Sequence, residues 1–455
     1  MIFGREKETE EINEYLSTDG SKVLLVYGRK GIGKSALLKE ILKNRPHAYL
    51  TAYETTGSEE LSVLSKEMNS EKVKTASELF SKIKDLAAGR EYTLVIDNFP
   101  AFVKADAAFQ NELFEIFKKD FSGKNIKLIL VSDAFLVLDK LFFKKNSLWN
   151  DYLYKSLEIK PLDFYESMEF YPDAENSDKA FFYGITGGIP AVLKQLTKEP
   201  AESIRKLFLP DGGNTYLPED NMKEELREMS NYNRVLKALS NDHTRVNDLA
   251  LVTERSKDIV VPYMNTLMDL SVVTKECPVT EKTNRKKTRY SILNTYDYFW
   301  YRYFASNIDL YFAGKYDEIA SIIDKDRKDF LKIVYTNIVK TAIKKHKCPG
   351  LIFDTDDIGN WWENDEEKKT SEGFDLVAIG RSNGKKTICY GRIFCNDEPL
   401  DLREVKSLIE LTRKVKEKGD STYYLAFSSS GFLETARTAA ATIKNIILVS
   451  LDDIV

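Results

Sequence analysis

The segment Gly28-Arg29-Lys30-Gly31-Ile32-Gly33-Lys34-Ser35 constrains this chain more than any other. It fills every fixed position of the pattern G-x-x-x-x-G-K-[ST]. The apolar run Lys22–Tyr27 before it reads as a buried strand, and Leu37, Leu38, Ile41 and Leu42 after it stand at helical spacing within Lys34–Lys43. A strand that passes through such a turn into a helix cradles phosphate. Its glycines let the backbone wrap an anion, and successive N–H groups and the helix dipole face that anion. Gly28, Gly31 and Gly33 shape the loop. Lys34 brings a mobile charge to β- and γ-phosphates, and the Ser35 hydroxyl suits Mg²⁺. The expected ligand is ATP, or a close relative, with Mg²⁺.

The following residues predict a parallel α/β sheet. His47–Tyr53, Tyr92–Asp97, Ile126–Ser132 and Ser156–Leu162 read as strands, with helical segments between them. Asp97 ends an apolar strand, where a metal shell needs an acidic acceptor. The intervening strand His47–Tyr53 implies that Asp97 is not on the strand next in sequence to the phosphate loop.

At 455 residues the chain is long enough for roughly three domains of about 150 residues. Residues 1–160 form the expected phosphate-binding core. Residues 161–227 read as a helical lid, broken at Gly187-Gly188-Ile189-Pro190 and at Pro210–Pro218. Residues 228–312 read as helices Asn231–Ser240, Arg245–Leu251 and Ser256–Leu270, then a hairpin of Val272–Cys277 and Thr288–Leu293. That order predicts a winged helix, followed by an aromatic packing helix over Asn294–Tyr311. Residues 313–455 predict a second α/β domain. Its helices are Ile319–Lys345, Leu402–Lys418 and one from Gly431; its strands are Leu351–Phe353, Gly373–Ile379, Thr387–Phe394, Tyr423–Phe427 and Asn445–Leu451.

A formal net charge of −4 argues against a protein that coats nucleic acid by bulk charge, though not against a local basic surface. The N-terminus is acidic and polar where a leader would be basic and then apolar, and no apolar run approaches the roughly 20 residues of a membrane helix. The expectation is a cytoplasmic protein with no membrane partner. Cys277, Cys348, Cys389 and Cys395 form no Cys-x-x-Cys pair, and His47, His243 and His346 are far apart, so the thiols read as incidental.

Ile2-Phe3-Gly4-Arg5-Glu6 resembles the Gly-Arg-Glu box of AAA-type and STAND-type ATPases, and Thr186-Gly187-Gly188-Ile189-Pro190 resembles their lid motif, with Asp163–Phe170 leading into it. As a whole the chain resembles the archaeal-type ATPase family, which combines a P-loop domain, a winged helix and a C-terminal restriction-endonuclease-like domain. The resemblance implies that Phe3, Arg5 and the backbone at Pro190 lie near the adenine, and that Ser132 senses the γ-phosphate. It also implies catalytic roles for Lys34, Asp97 and the residue after it. Here that residue is Asn98, where the family usually has glutamate; an amide binds water but cannot take its proton. The segment Asn146–Asp151 has no arginine where the family usually places a Gly-Arg pair. Slow hydrolysis follows.

In the wing, Lys282, Arg285, Lys286, Lys287 and Arg289 are candidate phosphate contacts for DNA. Helix Ser256–Leu270 carries no arginine with which to grip guanine. In the C-terminal domain, Gly359-Asn360-Trp361-Trp362, Phe374-Asp375-Leu376-Val377 and Tyr423–Phe432 resemble nuclease-fold segments. Asp375 stands at the metal position, but Arg392-Ile393-Phe394 replaces Glu-x-Lys and Phe330-Leu331 replaces Phe-Glu. The expectation is a nucleotide-dependent switch whose nuclease-like domain does not cleave, with a protein partner or self-association. The alternative is an ATP-regulated DNA-binding protein or nuclease.

Overall fold

Five parallel strands carry the phosphate loop: β1 (Val23–Tyr27), β2 (His47–Thr51), β3 (Tyr92–Asp97), β4 (Ile126–Ser132) and β5 (Leu153–Glu158), in the order β2-β3-β4-β1-β5. The structure, a computed structural model, describes residues 2–68, 73–87, 89–121, 126–145, 147–223, 225–226, 228–365 and 370–455. β3 and β4 are buried along their whole length, as near-continuous apolar strands of a parallel sheet should be. β2 intervenes between β1 and β3 in sequence, as expected, and in the sheet β4 lies between β1 and β3, so Asp97 is also not on a strand beside the loop. The expected strand Ser156–Leu162 begins earlier, at Leu153, because pairing with β1 starts at Val23.

The residues after β4 pack into the core. Trp149 is fully buried against the rings of Phe114, Phe117 and Phe142, at centroid distances of 5.1, 5.9 and 5.6 Å. A position that anchors three aromatic rings cannot carry a solvated cation. Asn146 lies outside the described residues.

Two compact units emerge, and both are discontinuous in sequence. The first comprises Met1–Leu162, Ile189–Val192 and Thr215–Arg227; the second comprises Asp163–Gly188, Leu193–Asn214 and Glu228–Val455. The stretch 161–227 is therefore divided between them.

In the second unit, helices Met229–Ser240, Val246–Val252 and Lys257–Asp269 precede an antiparallel pair, β6 (Val273–Glu276) and β7 (Arg289–Ile292). The aromatic stretch then forms helix Thr295–Phe299 and a wider turn over Trp300–Phe304, with Tyr296, Phe299, Tyr301 and Tyr303 fully buried. Helix Tyr316–Lys344 leads to a mixed sheet of β8 (Asp354–Asp365), β9 (Thr370–Ser382), β10 (Lys385–Phe394), β11 (Ser421–Ser428) and β12 (Ile446–Val449). β8, β9 and β10 run antiparallel to their neighbours; β10, β11 and β12 run parallel. Leu351–Phe353 is not a strand: pairing with β9 begins at Asp354, and Leu351 and Phe353 are buried as loop residues. The expected helix Leu402–Lys418 stops at Leu411 and continues only as the short turn Thr412–Lys414. Among the described residues, no helix is long and apolar enough to cross a membrane.

Replacing Trp149 by alanine should destabilise the first unit by about 3–5 kcal/mol, the usual cost of emptying a buried aromatic site. Urea unfolding followed by circular dichroism measures this, and an unchanged midpoint would contradict the packing described.

Candidate nucleotide site and the surfaces beyond it

The phosphate loop is fixed from several sides. Arg5 is nearly buried; its guanidinium donates to the Ile32 carbonyl at 3.1 Å and pairs with Glu8 at 3.0 Å. The Gly-Arg-Glu box thus braces the loop directly. Phe3 and Pro190 are half-buried. At Gly28, where φ is +149°, an added Cβ would lie 2.4 Å from the Ile159 carbonyl oxygen, so only glycine fits. Gly33, at φ +97°, begins helix Lys34–Leu42.

Gly31 is approached from two side chains at once. A Cβ there would meet the Tyr216 ring at 2.9 Å and the Ala191 side chain at 3.0 Å. The Ala191 amide also donates to the Gly31 carbonyl at 3.1 Å. Residues 189–192 and 215–227 therefore close over the loop as parts of the first unit.

The chemical groups lie along the top of the sheet. The Lys34 ammonium donates to the carbonyls of Gly28 and Arg29 and pairs with the Asp133 carboxylate at 2.6 Å. The Ser35 hydroxyl donates to Asp97 Oδ2 at 2.6 Å. The Tyr49 hydroxyl donates to the same oxygen, also at 2.6 Å. Burial, reinforced by the Asp97 charge, raises the Tyr49 pKa well above that of free tyrosine, so the hydroxyl stays a donor through neutral and mildly alkaline pH. A serine hydroxyl and a carboxylate held together beside a phosphate cradle are hard oxygen donors, a set that fits Mg²⁺ bound through one or two protein groups plus phosphate and water.

Asn98 adopts the left-handed conformation, φ +56°, and its side-chain amide donates to the Ala52 carbonyl at 3.0 Å. Its amide N–H is thus spent on closing the turn after β3. Ser132 is fully buried; its hydroxyl exchanges hydrogen bonds with the backbone of Ala134, while its carbonyl accepts from Gly28 N–H at 3.3 Å. It holds the start of the loop.

Sequence reasoning did not identify Tyr49, Asp133 or Tyr216. Tyr49 pairs with Val95, two residues before Asp97, so the two side chains share a face of neighbouring strands. That relation exists only once the β2–β3 register is known. Asp133 directly follows the sensor position and was legible as an acid there.

The basic wing is largely engaged within its own unit. Lys282 pairs with Asp357, Lys287 pairs with Glu281 at 2.9 Å and Glu363 at 2.8 Å, and the Arg289 guanidinium stacks 4.6 Å from the Trp362 ring. Asp357, Trp362 and Glu363 all belong to β8. The Val279 amide also donates to the Asn360 carbonyl at 2.9 Å. Half-buried Lys340 donates to Asn360 Oδ1, whose amide donates to Glu276 on β6, so one polar chain links the long helix, β8 and the wing. Only Arg285 and Lys286, of the five candidate contacts, are exposed with no intramolecular partner described above. Lys282, Lys287 and Arg289 hold the wing to β8, which runs against their expected role as free phosphate contacts: a cation already paired with carboxylate must break that pair to reach phosphate.

In the C-terminal sheet, Asp375 Oδ2 accepts from Ile393 N–H at 2.8 Å, and Oδ1 pairs with the Lys332 ammonium at 3.0 Å. Lys332 directly follows the Phe330-Leu331 pair. Among the described residues, no three His, Cys, Asp or Glu side chains converge as a metal set. Burial pushes the thiols of Cys348 and Cys395 up to about 12, which keeps them protonated at neutral pH.

Tyr49→Phe removes one of two hydroxyls from Asp97 and leaves Ser35 in place. It should weaken Mg·ATP affinity by roughly three- to tenfold, in line with about 1 kcal/mol for a typical intramolecular hydrogen bond. Calorimetry measures this, and unchanged affinity would mean that Tyr49 does not support the metal side of the site.

Residues 2–196 match the family described as an ATPase domain predominantly from Archaea, and residues 300–390 match one described as Archaea bacterial proteins of unknown function. An uncharacterized protein of Methanocaldococcus jannaschii is 27% identical over 435 residues, covering 93% of this chain and 94% of that protein. An uncharacterized ATP-binding protein of Pyrococcus abyssi is 34% identical over 98 residues, 20% of this chain and 28% of that protein. A Walker-type ATPase of Pyrococcus abyssi shares the fold at a TM-score of 0.52 and 18% identity, over 66% of this chain and 96% of that one. Over residues 2–196, then, this chain is similar to the archaeal-type P-loop ATPase domain.

Proposed function

We propose that the chain binds ATP with Mg²⁺ at Gly28–Ser35 and works as a slowly hydrolysing switch that drives its second unit. The observation that carries this reading is the closure over Gly31. Ala191 hydrogen-bonds the loop and Tyr216 packs on it, and both stand in short segments whose chain runs directly into the second unit at 188/189, 192/193 and 214/215. A nucleotide that alters the loop bears on both segments. Coupling then requires only that ATP favour one arrangement of those segments over another.

Lys34 would leave Asp133 for the β- and γ-phosphates, and the backbone amides of the loop would hold the phosphate chain. Ser35 and Asp97 would hold Mg²⁺, with Tyr49 orienting the Asp97 carboxylate. The metal supplies charge neutralisation at the phosphates. Asn98 supports slow turnover, since its side-chain amide is bonded to Ala52 and carries no proton acceptor of carboxylate strength. Asp133, paired with Lys34 at 2.6 Å, offers a carboxylate beside the loop for the role of base instead.

Helices Met229–Asp269 with β6 and β7 act in this reading as a winged helix used for protein contact, and the C-terminal sheet as a restriction-endonuclease-like scaffold. Lys332 on Asp375 supports the absence of cleavage: an internal ammonium holds the carboxylate that a catalytic metal would need.

Calorimetry with Mg·ATP and Mg·ADP, with phosphate release followed on the same sample, tests the proposal. The expected result is saturable binding abolished by Lys34→Ala, with phosphate release far slower than the median enzyme turnover of about 10 s⁻¹. No binding refutes the nucleotide assignment. Fast release that is lost in Asp133→Asn would make Asp133 the base and end the slow-switch reading.

Small-angle scattering and limited proteolysis test the coupling. ATP, ADP and ligand-free protein should give different profiles, and Tyr216→Ala should reduce the difference while leaving a folded chain. Identical profiles in all three states refute the switch.

A further inference from the structure

A basin of about 870 Å³ opens in the second unit, between helix Met229–Ser240, the end of helix Val246–Val252, and helix Tyr316–Lys344. It lies within the size range of small-molecule sites. Its charge differs from that of the chain. Arg234, Lys237, Arg302 and Lys325 line it against only Glu254 and Asp326, an excess of two positive charges on a protein of net charge −4. His243 also lines it.

The two halves of this lining are built differently. In the wall, Arg302 is held by Asp326 through two hydrogen bonds of 2.8 and 3.0 Å, and it donates to the Ser240 carbonyl at 2.9 Å. Tyr303 also donates to Asp326, at 2.9 Å. The Asp326 charge is therefore already satisfied. Asp242, on the exposed turn, approaches Arg302 at 3.5 Å. The rim is the opposite case. Arg234, Lys237 and Lys325 have no carboxylate within ion-pair distance among the described residues. Arg234 and Lys237 stand three residues apart on one helix face, where like charges repel. Unlike Lys282 and Lys287 of the wing, which meet acids on β8, these cations face an open concavity.

We propose that this basin binds a small phosphorylated anion, at a site separate from the phosphate loop. Fixed Arg302 and polar groups of the wall provide orientation, while the rim cations provide charge. An anion bearing several negative charges relieves the repulsion between Arg234 and Lys237, and it gains most in a recess where salt screens less than on an open surface. The concavity favours a compact anion over the convex backbone of a duplex.

Tripolyphosphate titrated into the full chain by calorimetry at 150 mM salt tests this. The Lys34→Ala chain should retain saturable binding. Replacing Arg234, Lys237 and Lys325 by alanine should remove one site per chain relative to wild type, or weaken it at least tenfold, with an unchanged thermal midpoint. Should Lys34→Ala not fold, the comparison of site number between wild type and the triple variant decides alone. Equal site number and affinity in those two proteins overturns the proposal. So does binding that vanishes at 150 mM salt, which would be bulk charge attraction. A single-stranded oligonucleotide that binds through the same three residues while tripolyphosphate does not would also overturn it, in favour of a nucleic-acid backbone.

Discussion

The phosphate loop is held in a backbone shape that leaves no room for a side chain at Gly28 or Gly31, and the surrounding structure is arranged around that constraint. At Gly28 the Ile159 carbonyl fills the space of a Cβ; at Gly31 the Tyr216 ring and Ala191 fill it. The first contact locks the loop to the end of β5. The second locks it to segments far along the chain. Arg5 adds a brace through the Ile32 carbonyl. The amides that face an anion are thus preorganised by packing and hydrogen bonds rather than by the ligand alone.

Much of this was legible in the sequence, for reasons that differ by element. β3 and β4 stand where the sequence placed them, because a fully buried parallel strand is a short apolar run with sharp ends. β5 was misplaced because its half-exposed residues lack that contrast. That a strand intervenes in sequence between the loop and Asp97 was legible from the alternation, whereas the order β2-β3-β4-β1-β5, which sets Asp97 two strands from the loop, is a matter of tertiary pairing. Tyr49 and Tyr216 were hidden for a different reason. Each acts through a neighbour that only tertiary register supplies, and no local pattern marks a tyrosine as a partner of Asp97 or of Gly31.

The wing shows the complementary limit. Five basic residues in eight positions read as a phosphate-binding loop, and charge alone cannot tell a free cation from a paired one. Asp357 and Glu363 lie about seventy-five residues downstream on β8, and only folding brings them to Lys282 and Lys287. The same reasoning gives weight to cations that folding leaves without acids.

The divided first unit has a consequence for how the chain is made. The covers of Gly31 come from residues 191 and 216, while the sheet is complete in sequence by residue 158. On the ribosome, where domains fold from the N-terminus at about 5–20 residues per second, the sheet can therefore form several seconds before its loop is covered. Between these covers the chain lays down parts of the other unit, which has no sheet until much later. Maturation of the loop is thus tied in time to synthesis of the segments it is wired to, and a nascent chain stopped before residue 216 carries the whole motif without its final closure.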